Sequence, residues 1–167
     1  LSGCVSCLVC AREMSRSDDW VDVVDEISKN QVFGYMNGKE YVQANRDWFV
    51  AKSREEGVMP LPKGVFYKVI AEGRNDGKHP NLRSVVTAHY TGWTIDGRKF
   101  DSSRGGTPIA FRLNELIEGW IVAMQHMCIG DKWELYIPAE MGYGKFSQPG
   151  IPGGSHPVFE IELLGIA

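Results

Sequence analysis

The spacing of hydrophobic positions along this 167-residue chain changes near residue 61. Before that point, apolar side chains recur every three or four residues, which is the period of an α-helix with one apolar face. After it, apolar and polar positions alternate over short segments bounded by glycine and proline, as in half-buried β-strands. The pattern predicts a helical arm over residues 18–60 and a strand-rich domain over residues 61–167, which together follow a short N-terminal segment, residues 1–17.

Two amphipathic helices are predicted in the helical arm. The first covers residues 18–30, and Ser17 can cap its first turn. Its apolar positions fall at i, i+3, i+4 and i+7: Trp20, Val23, Val24 and Ile27. The second runs from about Lys39 to Glu56, where Gly57 suits the end of a helix and two prolines prevent its continuation.

The apolar faces of these two helices must be covered, because such a stripe is unfavourable in water. We expect the arm to associate into a homodimer. Two alternatives stay open: the helices can fold against each other, or they can pack as an appendage on the strand-rich domain.

The strand-rich domain contains several short alternating segments. The predicted strands lie within residues 64–73, 84–92, 95–100, 107–113, 131–138 and 157–165. Asp96-Gly97 is predicted at a hairpin turn, because glycine adopts a positive φ at little cost. Alternation and short connections favour antiparallel pairing, and the fold class is therefore α+β.

One helix and one long loop interrupt the strands. Asn114 is predicted to cap the helix, which is apolar on nearly all sides and should therefore be covered by the sheet. Its apolar residues are Leu116, Ile117, Trp120, Ile121, Met124 and Met127. Cys128 follows among apolar residues and is predicted to be a buried thiol. The loop over residues 139–156 is rich in glycine and proline, and loops of this length in compact domains usually serve a function.

Composition narrows the classes of function. The hydrophobic fraction of 43% is sufficient for a real core, so wholesale disorder is not expected. The net charge of −3 does not favour nucleic acid as a partner, since binding to phosphates calls for a basic face. No run approaches the roughly 18 consecutive apolar residues of a membrane helix.

Three cysteines lie within the first ten residues: Cys4, Cys7 and Cys10. The order Leu1-Ser2-Gly3-Cys4 fits the end of a bacterial lipoprotein signal, in which the cysteine becomes lipidated. We therefore expect Cys4 to carry a lipid anchor, with residues 5–17 as a tether. The alternatives are a tail of incidental thiols and a metal or cluster site. The metal site is the weakest of the three, because no fourth ligand is supplied locally.

The stretch AHYTGWTIDGRKFDSS, residues 88–103, places Phe100 beside Asp101, with Tyr90 ten residues upstream. Around it, four motifs follow one another: VTAHYTGWTIDGRKFDSS, LIEGWIVAMQHMCIGDKWELYIPAEMGYG, PGIP and VFEIELLGI. In this order they resemble the FKBP-type peptidyl-prolyl cis-trans isomerases, over about Leu61 to Ala167. The preceding NRDWFVAKSREEGVMPLPKGVFYKVIAEG is similar to the arm-to-domain junction of Mip and FkpA-like bacterial members.

The resemblance implies a twisted antiparallel sheet wrapped around a short helix, with an apolar pocket between them and a helical arm in front. It implies Tyr90, Asp101 and Tyr143 as catalytic residues. It implies a substrate-binding lining of Phe100, Phe111, Leu116, Ile117, Trp120, Ile151 and Phe159. Within that lining, Trp120 would form the floor, and the Ile117 amide would bond a substrate carbonyl. The loop PGIPGGSH is slightly short for the family.

The resemblance also implies the function. It predicts an enzyme without metal or cofactor that accelerates X–Pro isomerisation in unfolded or folding polypeptides. Macrolide inhibitors are a second class of ligand for the same pocket. The similar bacterial members dimerise through their helical region and work in the periplasm or at the cell surface, so we expect a periplasm-facing lipoprotein of the cell envelope. The alternative is a non-catalytic chaperone or peptide-binding module that uses the same cleft.

Overall fold

The structure is a computed structural model, and it describes residues 37–167. The predicted helix over residues 18–30 and the three N-terminal cysteines lie outside the described residues. Within residues 37–167, no helix is both long enough and apolar enough to cross a membrane.

The first described element is helix α1, Gly38–Ser53. Asn37 caps it: the side-chain oxygen of Asn37 accepts hydrogen bonds from the amides of Lys39 and Glu40, and the Glu40 carboxylate accepts the amide of Asn37. This reciprocal capping box satisfies backbone donors that a helix start leaves unpaired. The predicted second helix of the arm is confirmed, and it ends three residues earlier than expected.

Seven antiparallel strands form one sheet. They are β1 (Val58–Pro60), β2 (Phe66–Ala71), β3 (Val85–Trp93), β4 (Lys99–Ser102), β5 (Ile109–Arg112), β6 (Lys132–Tyr136) and β7 (Val158–Ile166). Their order is β1-β2-β6-β7-β3-β4, and β5 also pairs with β3. Strands β5 and β4 occupy successive halves of one edge of β3, while β7 pairs along its other edge. The predicted α+β class with an antiparallel sheet is confirmed.

Strand β1 was not expected from the sequence. It has three residues and ends at Pro60, so the hydrophobic pattern is too short to be read and the proline suggests an interruption. Proline is tolerated here because β1 pairs with β2 alone and lies at the edge of the sheet, where one side of the backbone needs no partner in the ladder.

Helix α2, Glu118–Met124, packs on the sheet and carries the centre of the core. The prediction that Asn114 caps this helix is wrong. Asn114 lies within a 3₁₀ turn, Leu113–Glu115, and the chain is then extended before the helix begins. Cys128 follows α2 and is 4% exposed, so its predicted burial is confirmed.

Helix α1 packs against the strand-rich domain. Trp48 and Phe49 contact a small apolar cluster in which Tyr136 and Val158 are buried, and Trp48 lies edge-on to Tyr136 with ring centroids 6.0 Å apart. Burial, together with a hydrogen bond to the Glu134 carboxylate, raises the pKa of Tyr136 above its usual value. The structure therefore shows α1 packed on the strand-rich domain, which is one of the alternatives to a homodimer given above.

Candidate active site

Trp120 lies at the centre of a group of aromatic rings from four different elements. It projects from α2 with no exposed surface and contacts Tyr90 of β3, Phe111 of β5 and Phe159 of β7. The three ring centroids lie 5.2, 5.8 and 5.4 Å from the Trp120 centroid, with interplanar angles of 76–85°. Edge-to-face contacts of this kind stabilise aromatic pairs beyond their buried area and fix the orientation of each ring.

Phe100 extends this group towards the long loop. Its ring centroid lies 5.5 Å from that of Phe159 and 6.3 Å from that of Tyr143, in nearly perpendicular arrangements. We call the six residues Tyr90, Phe100, Phe111, Trp120, Tyr143 and Phe159 the aromatic cluster. Phe100 is half-buried, whereas Tyr143 is 2% exposed.

Gly92 of β3 makes the close approach of these rings possible. A Cβ atom at this position would lie 2.6 Å from the ring of Phe100 and 2.7 Å from the ring of Phe159. Contacts this short would force both rings to move. Sequence reasoning did not select Gly92, although a glycine inside a strand is a recognised sign of close approach.

Asp101 is held at the cluster by a hydrogen bond. The Tyr90 hydroxyl donates to Oδ2 of Asp101 over 2.7 Å, and Asp101 follows Phe100 directly in β4. The register shifts here: Gly92 pairs with Asp101 and Trp93 pairs with Lys99, so Phe100 is an extra residue in β4 and the regular alternation of side chains is interrupted. Arg104, three residues further along the chain, forms ion pairs with Glu160 and Glu162.

Three aliphatic residues complete the apolar surroundings of the cluster. Leu116, Ile117 and Ile151 are each at most 2% exposed and belong to the same core. Ile117 precedes α2 in an extended conformation, and its carbonyl accepts hydrogen bonds from Trp120 and Ile121. Among residues 37–167, the Ile117 amide has no hydrogen-bond acceptor. That amide is therefore available as a donor to a bound carbonyl.

The structure brings all ten predicted pocket residues into one region, and the roles assigned to them stay predictions. The region combines an apolar, ring-lined interior with one carboxylate, two phenol hydroxyls and one free backbone donor. No group of histidine, cysteine and carboxylate side chains within residues 37–167 has the arrangement of a metal site. The chemistry that such a region supports is binding and desolvation of an apolar group that carries a few polar atoms.

Comparisons with known proteins agree with this fold and site. Residues 76–164 match the family of FKBP-type peptidyl-prolyl cis-trans isomerases. A peptidyl-prolyl cis-trans isomerase from Pseudomonas syringae has a similar structure, with a TM-score of 0.72 and 32% identity over 79% of this chain and 97% of that one. The chain therefore belongs to the FKBP-type peptidyl-prolyl cis-trans isomerase family.

Named bacterial relatives refine the placement within the family. The isomerase FkpA from Aeromonas hydrophila is 37% identical over 83% of this chain and 48% of its own length. The Outer membrane protein MIP from Legionella longbeachae is 36% identical over 74% and 54%, respectively. The structure of FkpA from Escherichia coli has a TM-score of 0.69 and 32% identity, covering 90% of this chain and 73% of that one. The chain spans about half the length of the Aeromonas hydrophila and Legionella longbeachae relatives. Its resemblance to Mip and FkpA-like members is confirmed.

Proposed function

We propose that this chain catalyses cis–trans isomerisation of X–Pro bonds in unfolded or folding polypeptides, and that the aromatic cluster receives the prolyl ring. The observation that carries the proposal is the arrangement around Trp120. Rings from β3, β5 and β7 surround a buried indole, and the hydrogen-bonded Asp101 carboxylate lies beside them. Membership of the isomerase family supports the same activity.

The reaction needs no nucleophile, since no covalent bond is broken. The barrier to rotation about a peptide bond is about 18–20 kcal/mol, because the planar amide is stabilised by resonance. In the twisted transition state this resonance is lost and the amide is less polar than in either planar isomer. Water stabilises the planar, polar form best, so an apolar site that replaces water lowers the barrier. A site shaped for the twisted amide binds it more tightly than the planar isomers, which accelerates exchange.

The polar groups of the site would orient the peptide. The Tyr90 hydroxyl holds the Asp101 carboxylate in place, and that carboxylate would face the twisted amide. In our proposal the Tyr143 hydroxyl and the Ile117 amide donate hydrogen bonds to substrate carbonyls. Fixing a substrate by several weak contacts converts binding energy into orientation, which accelerates a reaction that requires one geometry.

The apolar groups would hold the ring itself. Trp120 would form the floor of the site, and the remaining rings its walls. The aliphatic side chains of Leu116, Ile117 and Ile151 would contact the residues that flank proline. Macrolide inhibitors, which are bulky and largely apolar, would compete for the same surface.

The proposal is tested with a protease-coupled assay on a tetrapeptide that contains one proline. Catalytic amounts of the full chain are expected to raise the rate of cis-to-trans exchange in proportion to enzyme concentration. Binding of the peptide without acceleration would instead favour a non-catalytic chaperone or peptide-binding module.

We further propose that the chain acts in the cell envelope and is anchored by lipid on Cys4. The order Leu1-Ser2-Gly3-Cys4 and the similarity to a protein named Outer membrane protein MIP support this location. Expression of the complete gene in a bacterium, followed by mass spectrometry of the amino terminus, should detect a lipid-modified Cys4. Release of a protein with an unmodified Cys4 thiol would refute the anchor and leave the isomerase proposal intact.

Dimerisation through the first predicted helix, residues 18–30, is a separate proposal. Helix α1 already packs on the strand-rich domain, which leaves the apolar positions of residues 18–30 as the candidate contact between two chains. Sedimentation of the full chain should give a dimer at tens of micromolar, roughly tenfold above a micromolar Kd. A monomer at that concentration would contradict the proposal.

A further inference from the structure

The loop that carries Ile151 is fixed by its own backbone. We call residues 148–156 the Ile151 loop. The amide of Gln148 donates to the carbonyl of Ile151 over 2.9 Å, and the amide of Ile151 donates back over 2.8 Å. At the far end, the Ser155 hydroxyl donates to the carbonyl of Pro152 over 2.6 Å. The Ile151 side chain has no exposed surface and belongs to the core that surrounds Trp120.

Helix α1 holds the far end of the Ile151 loop through two buried hydrogen bonds. The Tyr41 hydroxyl and the Ser155 hydroxyl lie 2.8 Å apart, and the amide of His156 donates to Oδ1 of Asn45 over 2.9 Å. The amide group of Asn45 also donates to the carbonyl of Tyr41, so both ends of this fully buried side chain are satisfied. Buried polar groups whose hydrogen bonds are formed hold the segments that they join in one arrangement. Here the segments are α1 and the Ile151 loop.

Glycine at position 154 permits the contact. Gly154 has a φ of +80°, and a Cβ there would lie 2.5 Å from Cγ2 of Val42 in α1. Gly153 is equally constrained, because its Cβ would lie 2.2 Å from the carbonyl oxygen of Lys145. The adjacent glycines Gly153 and Gly154 therefore leave room for the turn at Lys145 and for the surface of α1, respectively.

The ring of His156 completes the contact. It lies edge-on to Phe49 of α1, with ring centroids 5.0 Å apart. Burial lowers the pKa of His156 below its usual value, so the ring is neutral at neutral pH and fits an apolar interface.

We propose that Tyr41 and Asn45 are positioning residues for the isomerase site: by fixing the Ile151 loop, they set the affinity for substrate and the preference for the residue that precedes proline. This inference rests on the function proposed above. The chain of contacts is short. Tyr41 binds Ser155, Ser155 binds the carbonyl of Pro152, and Pro152 follows Ile151 directly. A displacement of Ser155 would move Pro152 through their hydrogen bond, and Pro152 is covalently joined to Ile151.

The test uses the full chain and two variants, Tyr41→Phe and Asn45→Ala. The first removes one hydroxyl and keeps the ring, so it is the variant expected to fold without difficulty. Gln43→Ala is the matched control, because Gln43 is exposed on α1 and its side chain donates a hydrogen bond to Asp47 on the same helix, not to the Ile151 loop. Each protein is assayed on tetrapeptides that differ in the residue before proline, with KM and kcat measured separately.

We expect Tyr41→Phe to raise KM by about two- to tenfold, the range that one hydrogen bond contributes. We also expect a smaller difference in KM between tetrapeptides with leucine and those with alanine before proline, while kcat stays nearly unchanged. Asn45→Ala should show the same change to a greater extent, and Gln43→Ala should match the wild type. A lower melting temperature with unchanged KM and unchanged preference would overturn the proposal, because it would make α1 a purely structural support.

A measurement without turnover separates this inference from the proposed function. In nuclear magnetic resonance spectra, Tyr41→Phe should shift the Ile151 methyl signals and speed hydrogen exchange at the Gly154 amide, which donates to the Gly144 carbonyl. If Ile151 signals and loop protection match those of Gln43→Ala, the positioning role is excluded, whatever the catalytic result. A wild-type chain that fails to accelerate exchange, with these shifts present, would refute the proposed function and support the coupling of α1 to the loop.

Discussion

Replacement of Trp120 by alanine is expected to lower the free energy of unfolding by about 3–5 kcal/mol, the usual cost of truncating a buried aromatic residue. The indole has no exposed surface and contacts three other rings, so its removal leaves a cavity where α2 meets the sheet. A typical domain has only about 5–15 kcal/mol of stability, and this variant should therefore approach the unfolding threshold. Urea denaturation followed by circular dichroism measures the loss.

Trp93→Ala is the matched control for this prediction. Trp93 ends β3, is partly buried and packs against the smaller apolar cluster at Tyr136 and Val158. Its removal should cost clearly less, because less apolar surface is lost from the interior. Equal losses in the two variants would contradict the central structural position assigned to Trp120.

The second large effect is expected on turnover. A double variant, Asp101→Asn with Tyr143→Phe, should lower kcat/KM at least about tenfold, which corresponds to about 1.4 kcal/mol of transition-state stabilisation. Asparagine retains an oxygen that can accept the hydrogen bond from Tyr90, while the negative charge is lost. Phenylalanine retains the ring that contacts Phe100. The packing is therefore conserved, and the free energy of unfolding should stay within about 1–2 kcal/mol of the wild type.

Tyr67→Phe is the control for this variant. Tyr67 stacks on Trp133 with ring centroids 4.2 Å apart, outside the aromatic cluster. The Tyr67→Phe variant should have the kcat/KM of the wild type. Wild-type turnover in a folded Asp101→Asn, Tyr143→Phe chain would remove both side chains from the mechanism.

The strands were predictable because their pattern is local. In β6, Trp133 and Leu135 alternate with Lys132 and Glu134, and the first pair is buried while the second is half-buried. A period of two is visible in the sequence whenever one face of a strand is covered more than the other. The same reasoning failed for β1, since three residues that end in proline carry no measurable period.

The start of α2 could not be derived from capping rules. Asn114 has the side chain of a good cap, but the chain first makes a 3₁₀ turn and then passes through Leu116 and Ile117 in extended conformation. Both aliphatic side chains are buried in the same core as Trp120. Tertiary packing of the pocket lining therefore determines where this helix begins, and local propensity does not.

The identity of the predicted site residues came from the order of several motifs, and not from any single pattern. Their contacts were beyond the sequence. The bond between Tyr90 and Asp101 joins residues eleven positions apart across β3 and β4, next to an irregularity in the register at Gly92. Asn45 is a further case, because a buried amide in a helix is unexplained until its partner, 111 residues away, is known.

The central claim is that the aromatic cluster accelerates X–Pro rotation rather than only binding proline. Exchange spectroscopy by nuclear magnetic resonance tests it at equilibrium, on a proline tetrapeptide in large excess over the full chain. Uncatalysed exchange takes about 10–100 s at 25 °C and gives no cross-peaks between cis and trans signals on the time scale of the experiment. We expect cross-peaks whose intensity increases with enzyme concentration and disappears when a competing apolar inhibitor fills the site. Peptide signals that shift on binding, with no cross-peaks at any enzyme concentration, would contradict the account.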